Sequence, residues 1–356
     1  MTTTNKLVRL SALLLIFACG KEELADDSAS LEPNNLGGLI TKPLSIKAEL
    51  IEKEAPFDGR AFHASVVHDE KMWVIAGDII GPNPNDVWQS KDGQEWKLVN
   101  PNAAFSPRSD HAITAHDGKM WVTGGRNGTL LDFEIFNDVW SSKDGQTWEA
   151  ATTEAAFPPR SRHTLTTFNG RMWVIGGAGS LTGNQDFKAD VWASGDGSNW
   201  TSFLQNAPFG KRADHTALVY DHKLWVIGGY VKDELGGDFK NDVWYTEDGS
   251  SWILATPNAD FTPRSSHTAV TYNGYMWVIA GYAGNAKFLN DIWRSKDGIT
   301  WKKVKTSNDF RSRAEHTSVV FNKRFWALAG YPLISNPTKT GIYTSGYYSD
   351  VWSFGN

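Results

Sequence analysis

The stretch "NDVWSSKDGQTW", Asn137 to Trp148, decides the reading of this chain, because near copies of it recur. "NDVWQSKDGQEW" runs from Asn85 to Trp96, "NDVWYTEDGSSW" from Asn241 to Trp252, and "NDIWRSKDGITW" from Asn290 to Trp301. A repeated Asp, an Asp-Gly pair and two Trp are either one chemical site used several times or one piece of scaffold built several times. Working outward, the chain from Arg60 repeats at about fifty residues, the period of a four-stranded propeller blade. Six copies open with Arg-x-x-His: Arg60 and His63, Arg108 and His111, Arg160 and His163, Arg212 and His215, Arg264 and His267, Arg313 and His316. All seventeen Trp fall on three repeat positions, headed by Trp73, Trp88 and Trp96 in the first copy, so none is left over for a special role.

Turn chemistry supplies the strands. Asn169-Gly170, Asn273-Gly274 and Asp117-Gly118 predict two-residue hairpins between strands a and b, since both central residues then need positive φ. Asp-Gly at Asp92, Asp144, Asp196, Asp248 and Asp297 is expected to do the same between strands c and d. Four short antiparallel strands with two tight turns and one longer b-c loop make a blade.

The small-Gly pair ending strand b, the "NDV-aromatic" segment and a Trp eight residues later resemble the kelch family. Ala76, Ala280 and Ala329 stand where that pair is usually Gly-Gly. The resemblance implies an all-β, six-bladed kelch-type β-propeller over residues 45–356. The sixth copy ends at "SDVWSFGN" without a strand d. Counting back from Arg60 puts Ala48 where Trp96 stands before Arg108, and Phe57 where Phe105 stands. The segment Ser45 to Phe57 is therefore expected to complete the last blade and close the ring.

The first eighteen residues carry Lys6 and Arg9 and then an apolar run too short to span a bilayer, the layout of an export signal. Cys19, the single cysteine, follows directly, and "IFAC" resembles the lipobox of bacterial lipoproteins, with Phe17 where a small or β-branched residue is usual. That resemblance implies lipidation at Cys19. "GKEE", Gly20 to Glu23, is similar to a surface-sorting signal of some Gram-negative lipoproteins, so an outer-membrane lipoprotein exposed at the surface is expected. Residues 19–44, acidic and rich in Asn, Gly, Pro and Ser, read as a flexible tether of about 25 to 30 Å. A formal charge of −5 without clustered Lys or Arg argues against nucleic acid and leaves the lipid as the sole membrane contact. A monomer is expected.

Function belongs where the copies differ, since what all six share is what any blade needs. The b-c and d-a connections lie on one face, and the b-c loops vary in length and content, the usual setting for binding. Arg60, Arg108, Arg160, Arg212, Arg264 and Arg313 are either a cationic ring gripping a carboxylate or sulfate, or structural partners of Asp86, Asp138, Asp190, Asp242, Asp291 and Asp350. Two residues after each Arg stand Phe62, Asp110, Arg162, Asp214, Ser266 and Glu315, expected on the same side of strand a as the Arg. With Tyr230, Tyr282, Tyr331, Tyr343, Tyr347 and Tyr348 in the loops, this lining suits a sugar ring or a peptide. The six His read as inter-blade groups with a satisfied hydrogen bond rather than metal ligands, because a metal needs convergent donors. The Asp-Gly turn resembles the Asp-box of sialidases, itself a turn.

The reading is a binding module for a glycan or an extracellular protein, with no cofactor. The alternative is a carbohydrate-active enzyme of kelch-like type in the same pocket. A copper oxidase similar to galactose oxidase would need a Cys joined to Tyr, and Cys19 lies in the signal. A sialidase would need three convergent Arg and a Tyr nucleophile with an acidic partner; many Arg are present, but the usual "FRIP"-like segment is not. An enzyme similar to sialic acid mutarotase, using Arg and a carboxylate, stays open.

Overall fold

The computed structural model describes residues 44–128, 133–179, 186–233, 236–332 and 346–355, all within one compact unit, Pro43–Asn356. The expected signal, Cys19, the tether up to residue 43 and Tyr343 lie outside the described residues. Within them the protein is all-β, in curled antiparallel sheets of the kind expected of a β-propeller. The third copy shows the plan: strands Thr164–Phe168, Arg171–Ile175, Val191–Ser194 and Thr201–Leu204 pair in that order. Strand b is buried on both faces at Met172, Trp173, Val174 and Ile175, which is why it reads as an unbroken apolar run rather than an alternating one.

The last sheet joins the first and the last of the described strands. Strands Thr317–Phe321, Arg324–Pro332 and Tyr348–Gly355 are followed in space by Ser45–Glu52. Ala48 stands opposite Phe354 and Leu50 opposite Trp352, the register that counting back from Arg60 gives. Ile46 and Ala48 are buried against Trp352 and Phe354.

The a-b turns are as expected, with positive φ at both central residues, for instance Asn273 (49°) and Gly274 (71°). The c-d turns differ. Gly145 has φ of +72° but Asp144 is absent from the left-handed region. Asp144 Oδ1 instead accepts the backbone N–H groups of Gln146 and Thr147, and Ser142 Oγ accepts that of Gly145. The aspartate side chain thus builds the turn, and only glycine needs positive φ. A Cβ on Gly145 would lie 2.2 Å from the Trp73 ring of the preceding copy, so this turn is also an inter-copy contact.

Each Trp column has its own fixed partner. Strand-b Trp173 donates its indole N–H to Phe168 O, strand-c Trp192 to Asp190 Oδ2, and strand-d Trp200 to Gly197 O. In five copies the Phe three residues before the Arg meets the strand-d Trp edge-on, as in Phe157–Trp200 at 5.0 Å, while Phe310 meets Trp352 and Phe354. These aromatic wedges fill the core between neighbouring sheets.

Candidate functional site

The six arginines of the repeat are buried, each 0 or 1% exposed. Arg108 shows why. It grips Asp138 bidentately at 2.7 Å through each terminal nitrogen, donates to Gly124 O at 2.8 Å and Ser106 O at 3.0 Å, and stacks on Phe105 and Phe136. Arg60, Arg160, Arg212, Arg264 and Arg313 pair in the same way with Asp86, Asp190, Asp242, Asp291 and Asp350. Of the two roles the sequence allows, this geometry is that of the structural pair. A guanidinium committed to a carboxylate, two carbonyls and aromatic faces presents little to a ligand.

The residues two positions later lie differently from the expectation. Phe62, Asp110, Arg162, Asp214, Ser266 and Glu315 all adopt φ between 54° and 58°, so they precede strand a and do not share a strand face with the arginines. Asp110 donates its backbone N–H to Phe62 O, Arg162 to Asp110 O, Asp214 to Arg162 O, Ser266 to Asp214 O, Glu315 to Ser266 O, and Phe62 to Glu315 O. The hydrogen bonds return to their starting residue. They offset the cost of a left-handed conformation at non-glycine positions, on the order of 1 kcal/mol each, and point six side chains of five kinds into one cavity of ≈ 130 Å³.

That cavity is asymmetric in charge. Arg126, from the base of a b-c loop, donates to Asp110 at 2.6 Å, and Arg162 lies 3.6 Å from both Asp110 and Asp214. Ser266 donates to Glu315. Burial raises the Asp214 carboxyl to about 6, with Arg162 opposing the shift and Asp110 reinforcing it. Burial, then Asp214 and Asp110, push Glu315 well above the ordinary carboxylate range. The floor is the ring of His63, His111, His163, His215, His267 and His316. Five of these place Nε2 against a threonine hydroxyl of a neighbouring copy, as His215 does with Thr164 at 3.3 Å and His316 with Thr268 at 2.9 Å. His111 is the exception: the third to sixth copies offer the Thr that follows their His and the second, with Ala112 there, offers Thr123 of strand b, but the first has Ala64 and Ile75 at these places, and neither His111 ring nitrogen is bonded. Burial and the nearby Arg108 depress His111 to about 3, leaving it neutral. Among the described residues no cluster of three or more His, Cys, Asp or Glu is arranged to hold a metal ion.

Beside the cavity runs an arc of aromatic rings. Tyr230 meets Phe187 and Phe239, with centroids at 5.9 and 5.1 Å; Tyr282 meets Phe239 and Phe288 at 5.6 and 5.1 Å. Tyr331 continues it, between Phe288 at 5.6 Å and Tyr347 at 5.7 Å. Tyr348 instead covers Arg313. The arc spans the third to sixth copies. On the first two copies the same rim carries Asp78, hydrogen-bonded to Tyr347, and Arg126.

Sequence reasoning missed Arg126, Asp78, Phe187, Phe239 and Phe288. Two repeat columns flanking the b-c loop contain them. The residue after the small-Gly pair is Asp78, Arg126, Ala178, Tyr230, Tyr282 or Tyr331, and the residue three before the strand-c Asp is Asn83, Ile135, Phe187, Phe239, Phe288 or Tyr347. Each column changes from non-aromatic to aromatic along the chain.

The model of the KLHDC2/KLHL20/DRC7 Kelch-repeats domain matches residues 41–177 and 143–330. The chain belongs to the kelch-repeat family. Similar curated proteins include a leucine-zipper-like transcriptional regulator 1 homolog of Drosophila melanogaster, 31% identical over 36% of this chain and 13% of that protein. The flagellar outer-arm dynein alpha chain of Chlamydomonas reinhardtii is 28% identical over 39% of this chain and 3% of its own length. Ras guanine nucleotide exchange factor F of Dictyostelium discoideum is 27% identical over 28% of this chain and 9% of its own. The kelch chain thus spans a small part of each of these relatives, and the similarity is one of repeats. Kelch repeats generally mediate protein–protein binding.

Proposed function

We propose that this protein is a kelch-type binding module that takes a segment of a protein partner on the b-c loop face. The carrying observation is the juxtaposition there of a mixed-charge cavity with a continuous arc of half-buried Tyr and Phe. Rings that stack on one another lose little freedom when a ligand arrives, while the cavity supplies charge and hydrogen bonds that select it. The opposite face carries the tight a-b and c-d turns, and in the c-d turns the Asp and Ser side chains are spent on building the turn. A six-bladed ring, closed by the N-terminal strand, is the architecture this reading uses. The six repeats, the pairing of Ser45–Glu52 with Tyr348–Gly355 and the cyclic hydrogen bonds from Phe62 to Glu315 support it. The apolar run after Lys6 and Arg9, followed directly by Cys19, supports a lipid-anchored module outside the cytoplasm.

Selection from a displayed peptide library, with a glycan array in parallel, tests this on the full chain. Peptides are expected to be selected, and Tyr230→Ser combined with Tyr282→Ser to weaken them at least tenfold with the circular dichroism spectrum unchanged. Selection of glycans alone, or peptide binding indifferent to both tyrosines, refutes the assignment.

A further inference from the structure

Five charged side chains meet at the cavity, and they do not balance. Asp110, Asp214 and Glu315 face Arg126 and Arg162. Arg126 is committed to Asp110, and Arg162 lies between Asp110 and Asp214. Glu315 has only the Ser266 hydroxyl and, among the described residues, no ion pair. At the rim Asp78, bonded to Tyr347, adds a further carboxylate. A half-buried carboxylate without a cation is costly, and the five groups inside the free cavity, Asp78 at the rim not counted, leave a shortfall of one positive charge.

A second, independent feature points the same way. His111 lines this cavity, is 7% exposed, and has neither ring nitrogen bonded. It is held neutral, so one of its two unbonded nitrogens is an acceptor left without a donor. An acidic wall above a floor that includes one neutral imidazole with an unpartnered acceptor fits a group made only of N–H donors and carrying one positive charge. A guanidinium or a primary ammonium is such a group.

We propose that the cavity receives the guanidinium or ammonium head of an Arg or Lys side chain of the partner, paired with Glu315 and Asp214, while the flanking residues of that partner lie on the aromatic arc. This rests on the binding-module reading and names the anchor of its ligand. In the free protein a proton on the Asp214–Glu315 pair stands in for the absent cation, so binding displaces it. The groups facing the pair are Asp110, Arg126, Arg162 and the six floor His, which burial holds neutral. Affinity therefore falls as pH drops through about 6, where Asp214 takes up its proton.

The probe is N-acetyl-arginine methylamide, titrated against the full chain beside its neutral isostere N-acetyl-citrulline methylamide. The arginine compound is expected to bind saturably and at least about tenfold more tightly, with the preference declining from pH 7 to pH 5. Glu315→Gln should erase the preference, and Asp214→Asn reduce it, in proteins that unfold at the wild-type temperature or above. Equal binding of the two probes, absence of saturable binding by either, or a preference that survives Glu315→Gln overturns the proposal. If library peptides still bind through Tyr230 and Tyr282, the module reading stands and only the anchor falls; if they do not, both fall.

Discussion

Replacing Arg108 with Met separates scaffold from site. The substitution keeps an unbranched side chain against Phe105 and Phe136 but removes donors to both oxygens of Asp138, to Gly124 O and to Ser106 O. Asp138, 14% exposed at its side chain, keeps only the Trp140 indole N–H at 2.7 Å. Breaking one side of a buried pair costs about 3 to 5 kcal/mol, because the partner is left charged and poorly solvated. For a unit of this size that lowers the melting temperature by roughly 5 to 12 °C. Adding Asp138→Leu removes the stranded carboxylate and should restore more than half of the loss. It should not restore all, since Trp140 then lacks its acceptor, worth about 1 kcal/mol. Urea unfolding of the two variants and the wild type measures both steps. A single variant within about 1 kcal/mol of wild type, or a double variant less stable than the single, refutes a structural role for the pair.

Ala64→Thr should supply the hydroxyl that His111 lacks and stabilise the protein by about 0.5 to 1 kcal/mol in urea unfolding; a loss of that size would show that the site has no room for it. Deleting Ser45–Glu52 strips the edge from Tyr348–Gly355 and uncovers Trp352 and Phe354, so the full remaining chain should lose its cooperative thermal transition, and an unchanged transition contradicts this. The c-d turns predict acid sensitivity. Backbone N–H groups, with Asn199 foremost, hold Asp196 down to about 2, and Asp144 is lowered in the same way by Thr147. A depressed carboxylate stabilises above its ordinary value of 3.8 and loses this as pH falls toward 2. Stability should therefore drop between about pH 4 and pH 2, and Asp144→Asn should flatten the drop; an unaltered slope refutes the assignment.

The fold was legible because its signals lie within single copies: a hairpin dipeptide, a Trp column, a Phe three residues before each Arg. Even the pairing of Ser45–Glu52 could be counted, since Phe57 fixes the register. The Arg–Asp pairs were half legible, as equal numbers suggested partners while only distances show that the guanidinium is used up. What stayed hidden depends on contacts between copies. No local pattern tells that Asp110 or Glu315 turns left-handed, because the reward is a hydrogen bond to the preceding copy. The Asp-Gly dipeptide suggested two positive φ values, but the aspartate side chain can cap its own turn and removes that need. Arg126 was passed over as one loop residue among many. Its role follows from Asp110 of the same copy, which the pairing of Ser109 with Arg126 sets beside it, and the aromatic arc emerges only when Tyr230, Phe239 and Tyr282 are brought side by side by the curl of the sheets.

The account holds that residues common to the six copies build the scaffold and those that differ bind the ligand. Hydrogen–deuterium exchange of the full chain, with and without a selected peptide, tests this most directly. Protection is predicted at Asp110, Arg126, Tyr230, Tyr282 and Glu315 and their neighbours, with the c-d turns around Asp144-Gly145 and Asp248-Gly249 unchanged. Protection at those turns, with none around Tyr230 and Glu315, would contradict it.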